Sequence, residues 1–207
     1  MQTSIRARGL LAGLGWLAAG APLTAAAQDN TGIMQEITVT AQRREELLQD
    51  VPLAVSAFTS DQLDTLQVDQ ALDLGRLVPN LIAHNNTGLG TANSYSLRGL
   101  NNTESIATFD PPVGSYVDDI YVARQNANNF TLFDVDRIEV LRGPQGTLFG
   151  SNTTGGAVRV LLKKPAEELG GYAELGMGEF DRYVMRGSID IPVSDAVLTK
   201  FSAFYVD

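Results

Sequence analysis

Two strand-like runs joined by a glycine-rich break limit what this chain can fold into more than any other feature. Ile138-Glu-Val-Leu141 runs into the breaker cluster Gly143-Pro144-Gln145-Gly146. After Gly150, Gly155 and Gly156, the run Ala157-Val-Arg-Val-Leu-Leu162 follows. Short runs rich in β-branched residues and bounded by glycine and proline read as strands, so residues 136–160 predict strand, tight turn, irregular loop, strand. A phosphate-cradling loop would need a lysine directly after its last glycine, and none stands there.

The amino terminus says where such a sheet is used. Arg6 and Arg8 precede the apolar run Leu10-Leu-Ala-Gly-Leu-Gly-Trp-Leu-Ala-Ala19, and Ala25-Ala-Ala27 stands before Gln28. That is the layout of a secretory signal peptide spanning 1–27, with cleavage expected before Gln28. The apolar run is shorter than the ~20 residues a spanning helix requires. Without residues 1–27 the chain carries 13 basic and 24 acidic side chains, a net formal charge of −11, which argues against a nucleic-acid partner. There is no cysteine and one histidine, His84, so disulfides, thiolate metal sites and His-rich metal sites are excluded. No cofactor and no metal are expected. An enzyme is disfavoured because the carboxylates are scattered through turns and no cysteine nucleophile exists.

Residues 28–35 are polar and aperiodic, the pattern of a flexible tail. The segment Glu36-Ile37-Thr38-Val39-Thr40-Ala41 alternates apolar residues with threonine. It suits either a lone strand offered to a partner's sheet edge or the first strand of the following domain. Residues 42–46 read as a solvated linker. From Val51 a strand-like run reaches Phe58, Ser60 and Asp61 offer an N-cap for a short helix through Leu66, and Asp69 offers a second cap for a helix over 70–78. Two strands around 81–84 and 94–99 flank the loop 85–93, and a further loop, 100–112, leads to a hairpin turning at Asp118-Asp119. Beyond Pro165, Tyr183, Met185, Gly187, Ile189 and Ile191 alternate with Arg182, Val184, Arg186, Ser188 and Asp190. That dyad of apolar-out and polar-in residues marks a transmembrane β-strand, with a turn expected at Pro192-Val-Ser-Asp195 and another strand after it.

Taken together, the short segment at 36–41, the Leu97-Arg98-Gly99 strand, the Tyr116-Val-Asp118 hairpin and Glu139-Val-Leu-Arg-Gly-Pro144 closely resemble the TonB-dependent outer-membrane receptors over roughly 36–165. The hairpin departs from the family's usual Asp-Gly by carrying Asp118-Asp119. The resemblance implies an α+β plug domain over 51–165, a short mixed sheet with small helices, followed by the start of an antiparallel transmembrane β-barrel at 170–207. It identifies 36–41 as the TonB box, inside a flexible periplasmic segment, 28–50, on which TonB of the inner-membrane energy-transducing complex would pull. It assigns Arg98, Glu139 and Arg142 to a lock between plug and barrel wall. It assigns Asn85, Asn86, Asn101, Asn102 and Phe109 to plug loops that touch a small-molecule ligand. The cargo it implies is a scarce compound, most often an iron–siderophore complex, with vitamins and carbohydrates as alternatives. The implied location is the outer membrane of a Gram-negative bacterium, with membrane lipid against the barrel.

Two readings stay open at this point. Up to three wall strands cannot close a barrel of about 22 strands of ~10 residues, so several hundred further residues are expected for a working receptor. The alternative is a soluble periplasmic module that keeps only the plug and binds a partner by strand addition. The lipid-type alternation from Tyr183 to Tyr205 argues against it.

Overall fold

The computed structural model describes residues 3–7, 37–41, 43–86, 92–102, 108–129, 131–178 and 181–207. Apart from Thr3–Ala7, the segment read as a signal peptide lies outside these residues, as do the tail 28–35 and Glu36. Strands are β1 (Thr3–Ala7), β2 (Thr38–Val39), β3 (Glu46–Leu47), β4 (Ala54–Thr59), β5 (Leu81–Asn85), β6 (Asn93–Leu97), β7 (Val113–Val117), β8 (Ile120–Tyr121), β9 (Val135–Arg142), β10 (Gly156–Leu162), β11 (Gly170–Met177), β12 (Tyr183–Ser194) and β13 (Val197–Val206). Helices are α1 (Ser60–Thr65) and the single turn α2 (Gly146–Phe149), with 3₁₀ turns at Ala71–Arg76 and Gln125–Ala127.

The glycine-rich break does what its sequence demands. β9 and β10 pair antiparallel at the centre of a five-stranded sheet ordered β4-β9-β10-β7-β8, in which only β10 and β7 run parallel. Gly156 opens β10 at φ +147°, and a Cβ there would run into the Leu141 carbonyl oxygen and stand 2.5 Å from Leu97 Cδ2. Only glycine lets the returning strand approach β9 and β6 so closely. One stretch read as irregular, 146–149, instead winds into α2 and places Phe149 on the sheet.

Strand alternation sorts the sheet into two buried faces. Ile138, Val140, Val158 and Val160 point to one face and join Leu63 of α1, Leu74 of the 3₁₀ turn, and Tyr95 and Leu97 of β6. Leu141 and Ala157 point to the other and join Val39, Ala41, Val51, Tyr116 and Phe149. Both faces are covered, and the two charged residues Glu139 and Arg159 stand on the second of them.

Local signals were displaced by a residue or two. α1 is capped by Thr59, whose hydroxyl accepts from Gln62 N while the Gln62 side chain accepts from Thr59 N, so the cap is one residue before the Ser60-Asp61 pair. The helix expected after Asp69 is a 3₁₀ turn, and Asp73 rather than Asp69 satisfies the backbone N–H groups of Asp69 and Gln70. β12 continues through Pro192 with a register shift before Ser194, so the turn falls at 195–196 instead of at Pro192.

The four-stranded sheet β1-β11-β12-β13 is antiparallel and open, since β1 and β13 do not pair. Met185, Ile189, Phe201 and Tyr205 stand exposed on one side of it, while Val184 and Ser188 are buried on the other. β11, β12 and β13 are the start of the barrel wall. An unpaired strand edge exposes a row of backbone donors and acceptors, and on β11 the backbone of Thr3–Ala7 occupies it. Among the described residues no helix is long and apolar enough to cross a membrane.

Candidate functional site

On the second face of the central sheet, two charged residues stand opposite each other. Glu139 of β9 and Arg159 of β10 are cross-strand partners, 0% and 3% exposed, with Arg159 Nη1 2.6 Å from Glu139 Oε2. Arg137 Nε lies 2.9 Å from Glu139 Oε1. A charge this deep is tolerated only if its remaining donors and acceptors are filled. Thr40 fills them. Its N–H donates to Glu139 Oε1 at 2.8 Å, its carbonyl accepts from Arg159 Nη1 at 2.9 Å, and its hydroxyl oxygen accepts from Arg159 Nη1 at 3.0 Å and Arg137 Nη2 at 3.2 Å. Arg159 also lies over the Phe149 ring, 5.2 Å from its centroid.

This geometry revises the expectation of an unpaired box. Thr38 and Val39 pair with Leu47 and Glu46, Leu48 N donates to the Ile37 carbonyl, and Arg43 N donates to the Thr40 carbonyl. Val39 and Ala41 are fully buried, Ile37 is half-buried, and only Thr38 is exposed. Of the residues read as a solvated linker, Glu46 enters the return strand β3, while Arg43 and Arg44 form the bend before it. A cleft of about 930 Å³ opens beside Thr40, Arg43, Asp119, Arg137 and Arg159.

Glu139 is fully buried with both carboxylate oxygens engaged by Arg137, Arg159 and Thr40, an arrangement at odds with the wall-facing role expected of it. Arg98 and Arg142 remain. Arg98 is exposed in the left-handed region at φ +53°, with its guanidinium beside Gly143, the residue after Arg142. Neither arginine has an ion-pair partner among the described residues, and Arg142 Nε is buried without a hydrogen bond there.

The loop residues divide in the same way. Asn101 and Phe109 are exposed, whereas Asn85 is half-buried at the end of β5. The buried Asn86 side chain and the Asn102 main-chain carbonyl join a polar network that ties the loops together, so the Asn86 amide is engaged within the plug. Asn86 Nδ2 donates to Gln125 Oε1 at 3.3 Å, and the Asn102 carbonyl accepts from Gln125 Nε2 at 3.1 Å and Ser94 Oγ at 2.6 Å. Asn93 and Asn128 exchange two bonds, at 2.7 and 2.9 Å. The loop centres, 87–91 and 103–107, lie outside the described residues. Sequence reasoning passed over Arg137, Arg159, Asn93, Gln125 and Asn128. The amide-rich run Gln125-Asn-Ala-Asn-Asn129 was the available signal for the last two.

Two tyrosines anchor this framework. Burial pushes the Tyr95 phenol up to about 12, partly opposed by a hydrogen bond from Asn93. Burial also raises Tyr116, with Tyr121 adding to it and Arg43 and Arg159 pulling it back, while the Tyr116 hydroxyl donates to the Phe149 carbonyl at 2.7 Å.

The fold recurs in known proteins. Residues 47–157, more than half of the chain, match the TonB-dependent Receptor Plug Domain. The pesticin receptor of Yersinia pestis is 29% identical over 178 residues, covering 86% of this chain and 26% of the relative. The vitamin B12 transporter BtuB of Vibrio vulnificus is 26% identical over 165 residues, covering 80% of this chain and 26% of the relative. Among solved structures, the ferric yersiniabactin uptake receptor FyuA from Yersinia pestis superposes with a TM-score of 0.65 at 27% identity, covering 73% of this chain and 24% of that one. The pyoverdine outer membrane receptor FpvA from Pseudomonas aeruginosa shares the fold with a TM-score of 0.69 at 22% identity, covering 90% of this chain and 28% of that one. The chain spans about a quarter of the length of the curated relatives it matches. With a two-faced mixed sheet, a glycine-opened central strand and the matched residues in agreement, the chain belongs to the TonB-dependent receptor plug-domain family.

Proposed function

We propose that this chain is the N-terminal part of an outer-membrane receptor that takes up a scarce small molecule with energy supplied through TonB. The observation that carries the reading is the docked segment at 37–41, held by Thr40 on the central strands of a plug-family sheet. A force applied at the segment is delivered through Thr40 to β9 and β10. No covalent chemistry is required of the site. The cargo we favour is an iron–siderophore complex, supported by relatives described as receptors for ferric yersiniabactin and ferripyoverdine. The vitamin B12 transporter among the relatives keeps a corrinoid as the competing cargo.

In this reading Arg98 and Arg142 await carboxylates on the inner face of the wall. Asn101, Phe109 and the Asn85 end of β5 belong to the ligand-facing loops. The exposed apolar side of β12 and β13 faces lipid in the outer membrane of a Gram-negative cell. The test is growth of a strain lacking the full-length receptor gene, complemented with it, on single ferric siderophores and on vitamin B12. Rescue by one ferric siderophore that disappears when TonB is deleted is the expected result. Rescue independent of TonB, or no rescue on any iron source, refutes the proposal.

A further inference from the structure

The wall strands carry cations on their inner side, and the plug meets them with two carboxylates. Asp69, between α1 and the first 3₁₀ turn, lies 3.3 Å from Arg186 Nη2 and 3.6 Å from Arg182 Nη2, both from the β12 segment. Asp134, just before β9, lies 3.2 Å from Lys200 Nζ of β13 and accepts from Ser202 Oγ at 2.5 Å. Phe133 stacks on Phe204 of β13 with ring centroids 5.3 Å apart. The Asp134 side chain is 8% exposed and Lys200 11%, against 38% for Asp69. Asp134 holds a left-handed backbone at φ +54°, and its carbonyl accepts from Lys163 N, so its carboxylate is presented from a fixed platform. Aspartate tolerates that conformation better than most residues.

We infer that this face is a docking surface through which the plug is pinned to the first wall hairpin, with Asp134 as the principal pin and Asp69 as the weaker, hydrated one. Its partner is an inward-facing lysine or arginine on β12 and β13 of the same chain. It is separate from the edge formed by Arg98 and Arg142, and of opposite sign. The ranking follows from burial, because removing one member of a desolvated pair leaves the other charge uncompensated, whereas a half-exposed pair is screened by water. Lys200 retains Asp190 at 3.7 Å, so the loss of Asp134 leaves it a weaker partner on the wall.

The inference rests on the reading of β11–β13 as barrel wall, and it is tested in the full-length receptor in its outer membrane. Asp134→Asn, Lys200→Gln and the double variant are compared for receptor level in the membrane and for cell sensitivity to vancomycin, a probe of leakage. Asparagine keeps the left-handed backbone accessible. Each single variant is expected to lower the inhibitory concentration at least fourfold or to reduce the membrane level by a similar factor. The double variant, which removes both members of the Asp134–Lys200 pair and leaves Asp190 with the Ala166 N–H, is expected to return to within twofold of the unaltered receptor. Asp69→Arg and Arg186→Asp should show a smaller change singly and recover when combined. Single variants indistinguishable from the unaltered receptor, or doubles no better than the worse single, overturn the proposal. The readout involves neither cargo nor TonB, so a failure here is distinct from a failure of the uptake reading.

Discussion

Replacing Glu139 with glutamine removes one charge from the second face of the central sheet and almost no volume. Arg159 and Arg137 would be left facing an amide, and the N–H of Thr40 would keep an acceptor. Breaking a buried pair by neutralising one partner costs about 3–5 kcal/mol. The surviving amide hydrogen bonds restore about 1 kcal/mol, so the docked segment should lose roughly 2–4 kcal/mol against its undocked form. At 1.4 kcal/mol per decade that is about 30- to 1,000-fold in the opening equilibrium. Amide hydrogen exchange followed by mass spectrometry on the full-length receptor reads this directly, because the backbone N–H groups of Thr40 and Leu48 are donors in the docked form. Exchange over 37–48 should accelerate by that factor, while β10 and β7, whose pairing does not use Glu139, change far less. Replacing both Glu139 and Arg159 by leucine should not restore protection, since the Thr40 backbone then has no buried partners. Exchange over 37–48 within twofold of the unaltered protein would show that the charged pair does not hold the segment and would remove the force-transmission argument.

Three further outcomes follow from the geometry. Gly156→Ala should destabilise the plug by more than about 3 kcal/mol, because the added methyl meets the Leu141 carbonyl oxygen and the side chain of Leu97, neither of which can withdraw; a midpoint in urea unchanged from the parent would contradict it. Tyr95, raised to about 12 from an ordinary 10, remains protonated when folded while the unfolded phenol ionises. Its contribution is complete below pH 10 and is lost as pH rises through 12, up to roughly 3 kcal/mol, and Tyr95→Phe should flatten that part of a stability–pH curve. Arg142→Ala should loosen plug retention, seen as antibiotic leakage through the full-length receptor, without lowering the plug's own unfolding midpoint; a receptor as tight as the parent would exclude Arg142 from the lock.

Much of the architecture was readable from residue order. Glycine at 143 and 156, proline at 144 and the β-branched runs on either side require a strand, a break and a strand. Backbone conformation at such positions is decided by the residues themselves. The period-two alternation from Tyr183 onward separated a lipid-facing side from an inner side for the same local reason. Partnership was a different matter. Glu139, Arg159 and Thr40 are separated by 20 to 119 positions along the chain, and no local pattern distinguishes a carboxylate aimed at a wall from one closed over by the chain's own amino-terminal segment. Asp69 resembled a helix cap and nothing local singled out Asp134 until β12 and β13 brought their cations alongside. Local sterics set the strands and turns in advance, whereas the choice of which charges meet waited for packing, because only a shared, water-excluding enclosure makes one pairing worth more than another.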